Sequence, residues 1–284
     1  MSTTKQEALA GTELVELWSV TNALDKGLGV GEAIVQWACE QTAIAAIDKR
    51  RTWEPMLEDS GRDETIQWLK RQRWTATKRA KQRGTEVHRV AEALALGRPT
   101  PIIDAEVAKE IEPYVEQLVR WLELYRPAFV MAEAPVYNLE LGYAGTCDGI
   151  FDIEGRGRFI FDYKTNSKGP EARSRPPYSN ASLQLAAYAH AEQVGLLADR
   201  RYSEKGDRWY VYDHAAEHAP MPKVDAGLCV VVTPYDCYAV PVSIGEIPWR
   251  SFQHALALAS WNAAKSSTEQ ALYVNAFGPQ WIVP

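Results

Sequence analysis

The sequence predicts an α/β protein: a mixed central β-sheet flanked by helices, with a helical N-terminal part. Three observations carry this. The apolar runs Ile150-Phe151-Asp152-Ile153 and Phe159-Ile160-Phe161 flank the turn-prone Glu154-Gly155-Arg156-Gly157, the pattern of a β-hairpin. Upstream, apolar residues recur at three- and four-residue spacing, the period of helices. Downstream, a helical stretch after the third strand lets a later strand join the sheet in the α/β manner.

In chain order, residues 1–30 are polar and weakly periodic apart from Leu14-Val15-Glu16-Leu17-Trp18-Ser19-Val20-Thr21, whose role is left open. Residues 31–49 read as a helix with Ile34, Trp37, Ala38, Ala45 and Ile47 as apolar contacts, closed by Asp48-Lys49-Arg50-Arg51. Asp63 reads as the N-cap of a long basic helix running to about Arg83. Gly84 allows a break before a second helix that buries Val87, Val90, Ala91, Leu94 and Ala95. Asp104 caps the next helix, with Val107, Ile111, Val115, Leu118, Leu122 and Tyr125 on one side, a kink at Pro113 and an end at Arg126-Pro127.

Strands are expected at about 128–137, 143–153 and 158–164, a helix at 181–195, and strands at 208–212, 228–232 and 237–242, the last two paired. Residues 249–265 read as a closing helix, and the tail from Ala276 to Pro284 carries no signal. Residues 166–180, rich in Gly, Pro, Ser and charge and holding Lys168, Arg173 and Arg175, fit a strand-contacting element and a plain surface loop equally. No repeat or linker marks separable domains. Residues 1–125, the helical part, and 126–284, the sheet, are expected to form one continuous domain with a topological boundary only.

Hydrophobic residues make up 46% of the 284, enough for a sizeable core. No apolar run approaches bilayer length, and Met-Ser-Thr-Thr-Lys-Gln-Glu lacks the apolar centre of a signal peptide, so a soluble cytoplasmic protein is expected, with no membrane partner. Cysteines at 39, 147, 229 and 237 lack the spacing of a disulfide framework or zinc knuckle, and reduced thiols are the default.

The formal net charge of −6 disfavours a polyanionic partner if taken as a sum. Its distribution says otherwise. Lys70, Arg71, Arg73, Lys78, Arg79, Lys81 and Arg83 fall in a stretch without a single acid, Arg89 follows, and the run leads into His88. This reads as a DNA-facing helix, against the blander alternative of a solvated face.

Side chains alternate along a strand, so Asp162 and Lys164 share a face while Tyr163 takes the other, and a neighbouring strand can bring Asp148 alongside. Convergent carboxylates are costly unless a cation shares the site, and oxygen ligands suit Mg²⁺ or Mn²⁺. A lysine there can orient water or hold a phosphate oxygen. The chemistry this suits is metal-assisted attack of water on a phosphodiester. An isolated Asp-x-Lys triplet, by contrast, reads first as a surface ion pair.

The ordered set is more specific than the triplet. Gly84-Thr85-Glu86-Val87-His88, Gly145-Thr146-Cys147-Asp148-Gly149-Ile150, Phe161-Asp162-Tyr163-Lys164-Thr165 and Leu183-Gln184-Leu185-Ala186-Ala187-Tyr188-Ala189 together resemble the PD-(D/E)XK nucleases of the RecB and Cas-four-like exonuclease branch, from about Gly84 to Tyr188. The resemblance implies a restriction-endonuclease-like core. It makes Asp148 and Asp162 metal ligands, Lys164 the catalytic lysine, His88 a further ligand, and the main-chain carbonyl of Tyr163 a completing one. Gln184 and Tyr188, four residues apart, would look back at the site from one helical face as positioning groups. Glu133, within Val130-Met131-Ala132-Glu133-Ala134-Pro135-Val136, matches an acidic position on the preceding strand.

The activity implied is Mg²⁺- or Mn²⁺-dependent hydrolysis of linear DNA from its ends, in recombination, repair or phage DNA metabolism. The chain looks most like phage or prophage members, which would work in a host cytoplasm, and a homo-oligomer or a recombination-protein partner is compatible with that setting. Many Cas-four-like members hold an iron–sulfur cluster through four cysteines. Here Cys147, beside Asp148 but on the other strand face, leaves Cys39, Cys229 and Cys237, one short, so no cluster is expected. The alternatives are a structure- or sequence-specific endonuclease and a non-catalytic DNA-binding or assembly protein of the same fold.

Overall fold

The structure, a computed structural model, describes residues 14–29, 32–167, 180–195, 201–202, 208–212 and 218–263. Its centre is the expected hairpin. Strand β3 (Tyr143–Ile153) pairs antiparallel with β4 (Gly157–Thr165) from Ile153↔Gly157 to Gly149↔Phe161, across a turn in which Gly155 takes φ 70°. β2 (Ala128–Asn138) runs along the other edge of β3, antiparallel. β4 pairs parallel with β9 (Ala226–Val232), and β9 antiparallel with the edge strand β10 (Cys237–Val242). The sheet is therefore mixed, as expected.

The segment whose role the sequence left open is a strand. β1 (Leu14–Ser19) pairs parallel with β3 at Trp18↔Tyr143 and Ser19↔Ala144, and antiparallel with β7 (Arg208–Tyr212), which pairs with β6 (Arg201–Tyr202). β5 (Gln193–Gly195) joins β2, and β8 (His218–Pro220) joins β5. The part preceding residue 126 thus contributes a strand to the sheet as well as helices.

Both faces of the sheet are covered, so its inner strands are apolar in both directions. α1 (Val20–Leu28), α6 (Ala181–Ala189) and α7 (Glu246–Ala263) enclose one core with Tyr143, Cys147, Ile150, Ile160, Cys229 and Val231. α4 (Arg62–Ala95) and α5 (Ala105–Tyr125) enclose the other with Phe151, Phe161, Tyr163, Leu228, Val230 and Val232. The alternation of β4 and β9 between these two cores is the period of two carried into packing. α2 (Glu32–Asp48) and α3 (Arg50–Asp59) pack on the N-terminal half of α4.

Several local expectations are corrected. The basic helix and the His88 helix are one, α4, running unbroken through Gly84; Gly61 rather than Asp63 is its N-cap, and Asp63 lies in its first turn. Gly84 serves close approach instead of a break, since a Cβ there would meet Thr165 Oγ1 at 3.3 Å. The helix carrying Gln184 stops at Ala189, and residues 193–195 are strand because they pair with Val136 and Tyr137. Ile47 is 77% exposed instead of packed, and the chain re-enters a helix, α3, where a helix end was expected. Asp104 does cap α5, accepting from Glu106 N–H at 3.0 Å and Val107 N–H at 3.4 Å, and Arg126 ends it at φ 44°. Lys168, Arg173, Arg175 and the tail after Ala263 lie outside the described residues.

α1 meets α7 so closely that a Cβ on Gly27 would lie 2.0 Å from the Ala255 carbonyl oxygen. Overpacking of this kind costs about 1–3 kcal/mol. Gly27→Ala is expected to lower the unfolding free energy by that amount, read as a lower urea midpoint at unchanged slope; an unchanged midpoint would show that the two helices separate freely.

Candidate active site

The site forms where β3 and β4 part. Their pairing ends at Gly149↔Phe161, and further along the same edge β3 is taken up by β1. In the gap, Tyr163 N–H donates to Asp148 Oδ2 at 2.7 Å, and the Tyr163 carbonyl accepts from His88 Nε2 at 2.8 Å. Two side chains thus answer the backbone of one residue. On β3, Cys147 and Ile150 enter the same core although three residues apart, so the alternation slips at Asp148-Gly149. Glycine is required there: φ is 157°, and a Cβ would lie 2.4 Å from the Met131 carbonyl oxygen. The slip sends Asp148 toward α4 and His88.

Opposite Asp148, in the register set by Ala132↔Gly149 and Ala134↔Cys147, stands Glu133, whose φ of 46° is left-handed. A non-glycine residue held there costs about 1–3 kcal/mol and is typical of functional positions. His88, Glu133 and Asp148 each offer a ligand atom, and the three atoms lie within 4.8 Å of one another. They line a cleft of about 360 Å³ together with Thr85, Glu92 and Thr146.

Asp162 and Lys164 share the other strand face, as the period of two demands, and form an ion pair looking toward α6. Gln184 matches its amide to both charges. Its Oε1 accepts from Lys164 Nζ at 3.4 Å, and its Nε2 donates to Asp162 Oδ1 at 3.3 Å and to the Tyr188 hydroxyl at 3.2 Å. The Tyr188 ring fills the space that a side chain on Gly145 would need, with Cε1 at 2.5 Å from such a Cβ. Burial raises the Tyr188 phenol far above its ordinary range, so it stays neutral.

The electrostatics define what the site lacks. Burial first, and then the charge of Asp148, push Glu133 up to about 7. Burial and Asp148 also raise Asp162, against the pull of Lys164. Burial alone would depress Lys164, but the facing Asp162 outweighs it and holds the ammonium above its usual value. Because a carbonyl only accepts, His88 Nε2 carries the proton in that contact. In the neutral ring Nδ1 is then a lone pair, 3.4 Å from Asp148 Oδ2. Facing acceptors and repelling carboxylates are relieved by a shared cation, and a donor set of carboxylate oxygens with one imidazole nitrogen fits a divalent metal ion.

The structure therefore brings His88, Glu133 and Asp148 together on the α4 side and Asp162, Lys164, Gln184 and Tyr188 on the α6 side, joined through Tyr163. Asp148, expected alongside Asp162 and Lys164, bonds the Tyr163 N–H on the α4 side, and its charge still reaches both, raising each of them. Glu92, whose charge also raises Glu133, was not singled out from the sequence, although its i+4 spacing from His88 was a usable signal. Of the basic run, Lys70, Arg71, Lys78 and Lys81 are exposed. Arg79 and Arg89 are exposed too but paired: Arg79, with the less exposed Arg83, bonds Glu110 of α5 at 2.9 and 3.1 Å, and Arg89 bonds Glu86 at 2.6 Å, while Arg73 lies against Trp74.

A carboxyl raised in the folded state contributes stability that is complete below its unfolded value and lost as pH rises through the folded one. For Glu133 that window runs from 4.5 to about 7. Without divalent metal, the melting temperature should fall across this window, and Glu133→Gln should remove part of the fall, leaving the variant more stable than wild type above it. Equal slopes would contradict the assignment.

A search of curated proteins finds no match to this chain. The family model of the PD-(D/E)XK nuclease superfamily matches residues 64–236, more than half of the sequence and the whole of the site. The chain belongs to the PD-(D/E)XK nuclease superfamily.

Proposed function

We propose that the protein is a Mg²⁺- or Mn²⁺-dependent deoxyribonuclease that degrades linear DNA from its ends. The observation that carries this is the clustering of His88, Glu133 and Asp148 within 4.8 Å, beside an Asp162–Lys164 pair oriented by Gln184. His88 through Nδ1, Asp148 and Asp162 would hold the ion, with Glu133 as a further ligand, while the Tyr163 carbonyl, expected to complete the shell, accepts from His88 Nε2 on the far side of the ring and so orients the imidazole. A bound divalent ion supplies polarisation of the phosphoryl group and a more acidic water.

The chain's own residues do the rest. Asp148 fixes the backbone of β4 through Tyr163 N–H, which sets where Asp162 and Lys164 sit. Lys164, kept cationic by Asp162, offers its ammonium to the attacking water or a phosphate oxygen. Gln184 and Tyr188 position that pair.

Action from ends follows the RecB and Cas-four-like resemblance, in which an upstream helical histidine accompanies the sheet motifs, and recombination, repair or phage DNA metabolism is the setting it suits. No iron–sulfur cluster enters the proposal: Cys147 and Cys229 are enclosed in the core, where burial raises both thiols.

With Mn²⁺, end-labelled linear DNA should release nucleotides while a closed circle stays intact. Asp162→Ala and Lys164→Ala should each lower release about a hundredfold or more and leave binding largely unchanged, since they serve the chemical step. Cutting of the circle would replace the exonuclease by an endonuclease, and wild-type turnover in either variant would sink the site. Lys78→Ala combined with Lys81→Ala should flatten the salt dependence of binding by roughly one unit of slope for each phosphate that is no longer neutralised.

A further inference from the structure

We propose that the exposed face of α4 is a single-strand DNA track on which Trp74 stacks an unpaired base, so that the strand to be cut reaches the site unpaired. The inference rests on the nuclease reading above and adds the form of the substrate.

Lys70, Trp74, Lys78 and Lys81 follow one another at three- and four-residue steps, and the same steps continue to His88, so all lie on one face of an unbroken helix. The opposite face is fixed by packing. Lys49, between α2 and α3, donates to Gln72 at 2.7 Å and lies 6.0 Å from the Trp68 ring. Arg79 and Arg83 tie α4 to Glu110 on α5. The track face cannot turn inward without breaking these bonds.

Trp74 is 61% exposed, a large aromatic surface left in water. The Arg73 guanidinium lies 4.8 Å from its ring, which holds the indole in place. The other residues of this face are basic or polar, and Lys70, Lys78 and Lys81 have no carboxylate partner among the described residues. An apolar protein surface would cover Trp74 only by burying uncompensated cations around it. A strand of nucleic acid meets both demands, phosphates for the cations and a base face for the ring.

Pairing state decides between single strand and duplex. In a duplex the base faces are occupied by their neighbours, and the outer cations would serve phosphates of either form equally. A duplex leaves a free base face only at its terminal pair, whereas every base of an unpaired strand offers Trp74 one. At about 1.5 Å per residue the ring sits roughly 21 Å along the helix from His88, so it holds the strand several nucleotides away from the scissile bond.

The test is anisotropy of a fluorescein-labelled oligothymidylate of about sixteen nucleotides, and of a blunt duplex annealed from two complementary strands, with the full chain in EDTA. Trp74→Ala should weaken the single strand by about five- to a hundredfold and leave the duplex nearly unchanged, while Trp74→Phe keeps most of the affinity. Unchanged single-strand affinity in Trp74→Ala, equal losses on both forms, or no wild-type binding to the oligothymidylate would each overturn the track. Because no metal is present, the result is readable even if the chain cleaves nothing. Mn²⁺-dependent cleavage that persists while Trp74→Ala binds as wild type would overturn the track and leave the nuclease reading standing.

Discussion

Everything in the site depends on the parting of β3 and β4 past Gly149 and Phe161. Separated strands leave backbone groups that must find partners elsewhere. At Tyr163 the N–H finds Asp148 and the carbonyl finds His88, so satisfying the backbone and placing the site's acid and imidazole are one act. The same hydrogen bonds bind the sheet to α4. Gly84, inside that helix, allows it to come near Thr165 at the end of β4, and β1 takes up the β3 edge again at Tyr143 and Ala144.

The arrangement stores electrostatic and conformational cost, and the cost is asymmetric. Asp162 has an internal cation in Lys164, with Gln184 bonded to both. Asp148 and Glu133 have the imidazole of His88 beside them and, among the described residues, no ion pair to a lysine or arginine, and Arg89 on the cleft wall is bonded to Glu86. Glu133 adds a left-handed backbone. Such a pocket persists because the cores on both sides over-determine it; Phe151 and Phe161, for example, stack at 4.6 Å on the α4 and α5 side. The uncompensated half of the site is the half suited to a divalent ion.

Legibility from sequence followed the range of the interactions. The Asp162–Lys164 pairing and the Gln184–Tyr188 face were readable because strand and helix periods dictate them within a few residues. The strand at residues 14–19 was not, because its partners lie at 143–144 and 208–212. The one-residue slip at Asp148-Gly149 was hidden for the same reason: the Met131 carbonyl that excludes a side chain there belongs to β2. Simple alternation gave no sign of the slip, which brings Asp148 to His88 and the Tyr163 N–H while its charge still reaches Asp162. Gly84 misled in the opposite sense. Local propensity marks a glycine as a helix breaker worth about 1 kcal/mol, and the approach of β4 reverses its meaning.

The continuity of α4 also resolves the conflict between an acidic chain and a polyanionic substrate. Had the helix broken at Gly84, the cations before it and His88 after it would have belonged to two elements free to vary in angle. As one helix, each cation has a fixed distance and azimuth from His88, set by a rise of about 1.5 Å per residue. Within the basic run the charges then divide by azimuth. Arg79 and Arg83, turned toward α5, are engaged by Glu110, whose carboxylate they hold below its usual range even though burial alone would raise it. Lys70, Arg71, Lys78 and Lys81, turned to water, remain for a partner. The net charge of −6 is thus no measure of what this face presents: residues 70–83 contain no acid, and their exposed cations lie on the same helix as His88.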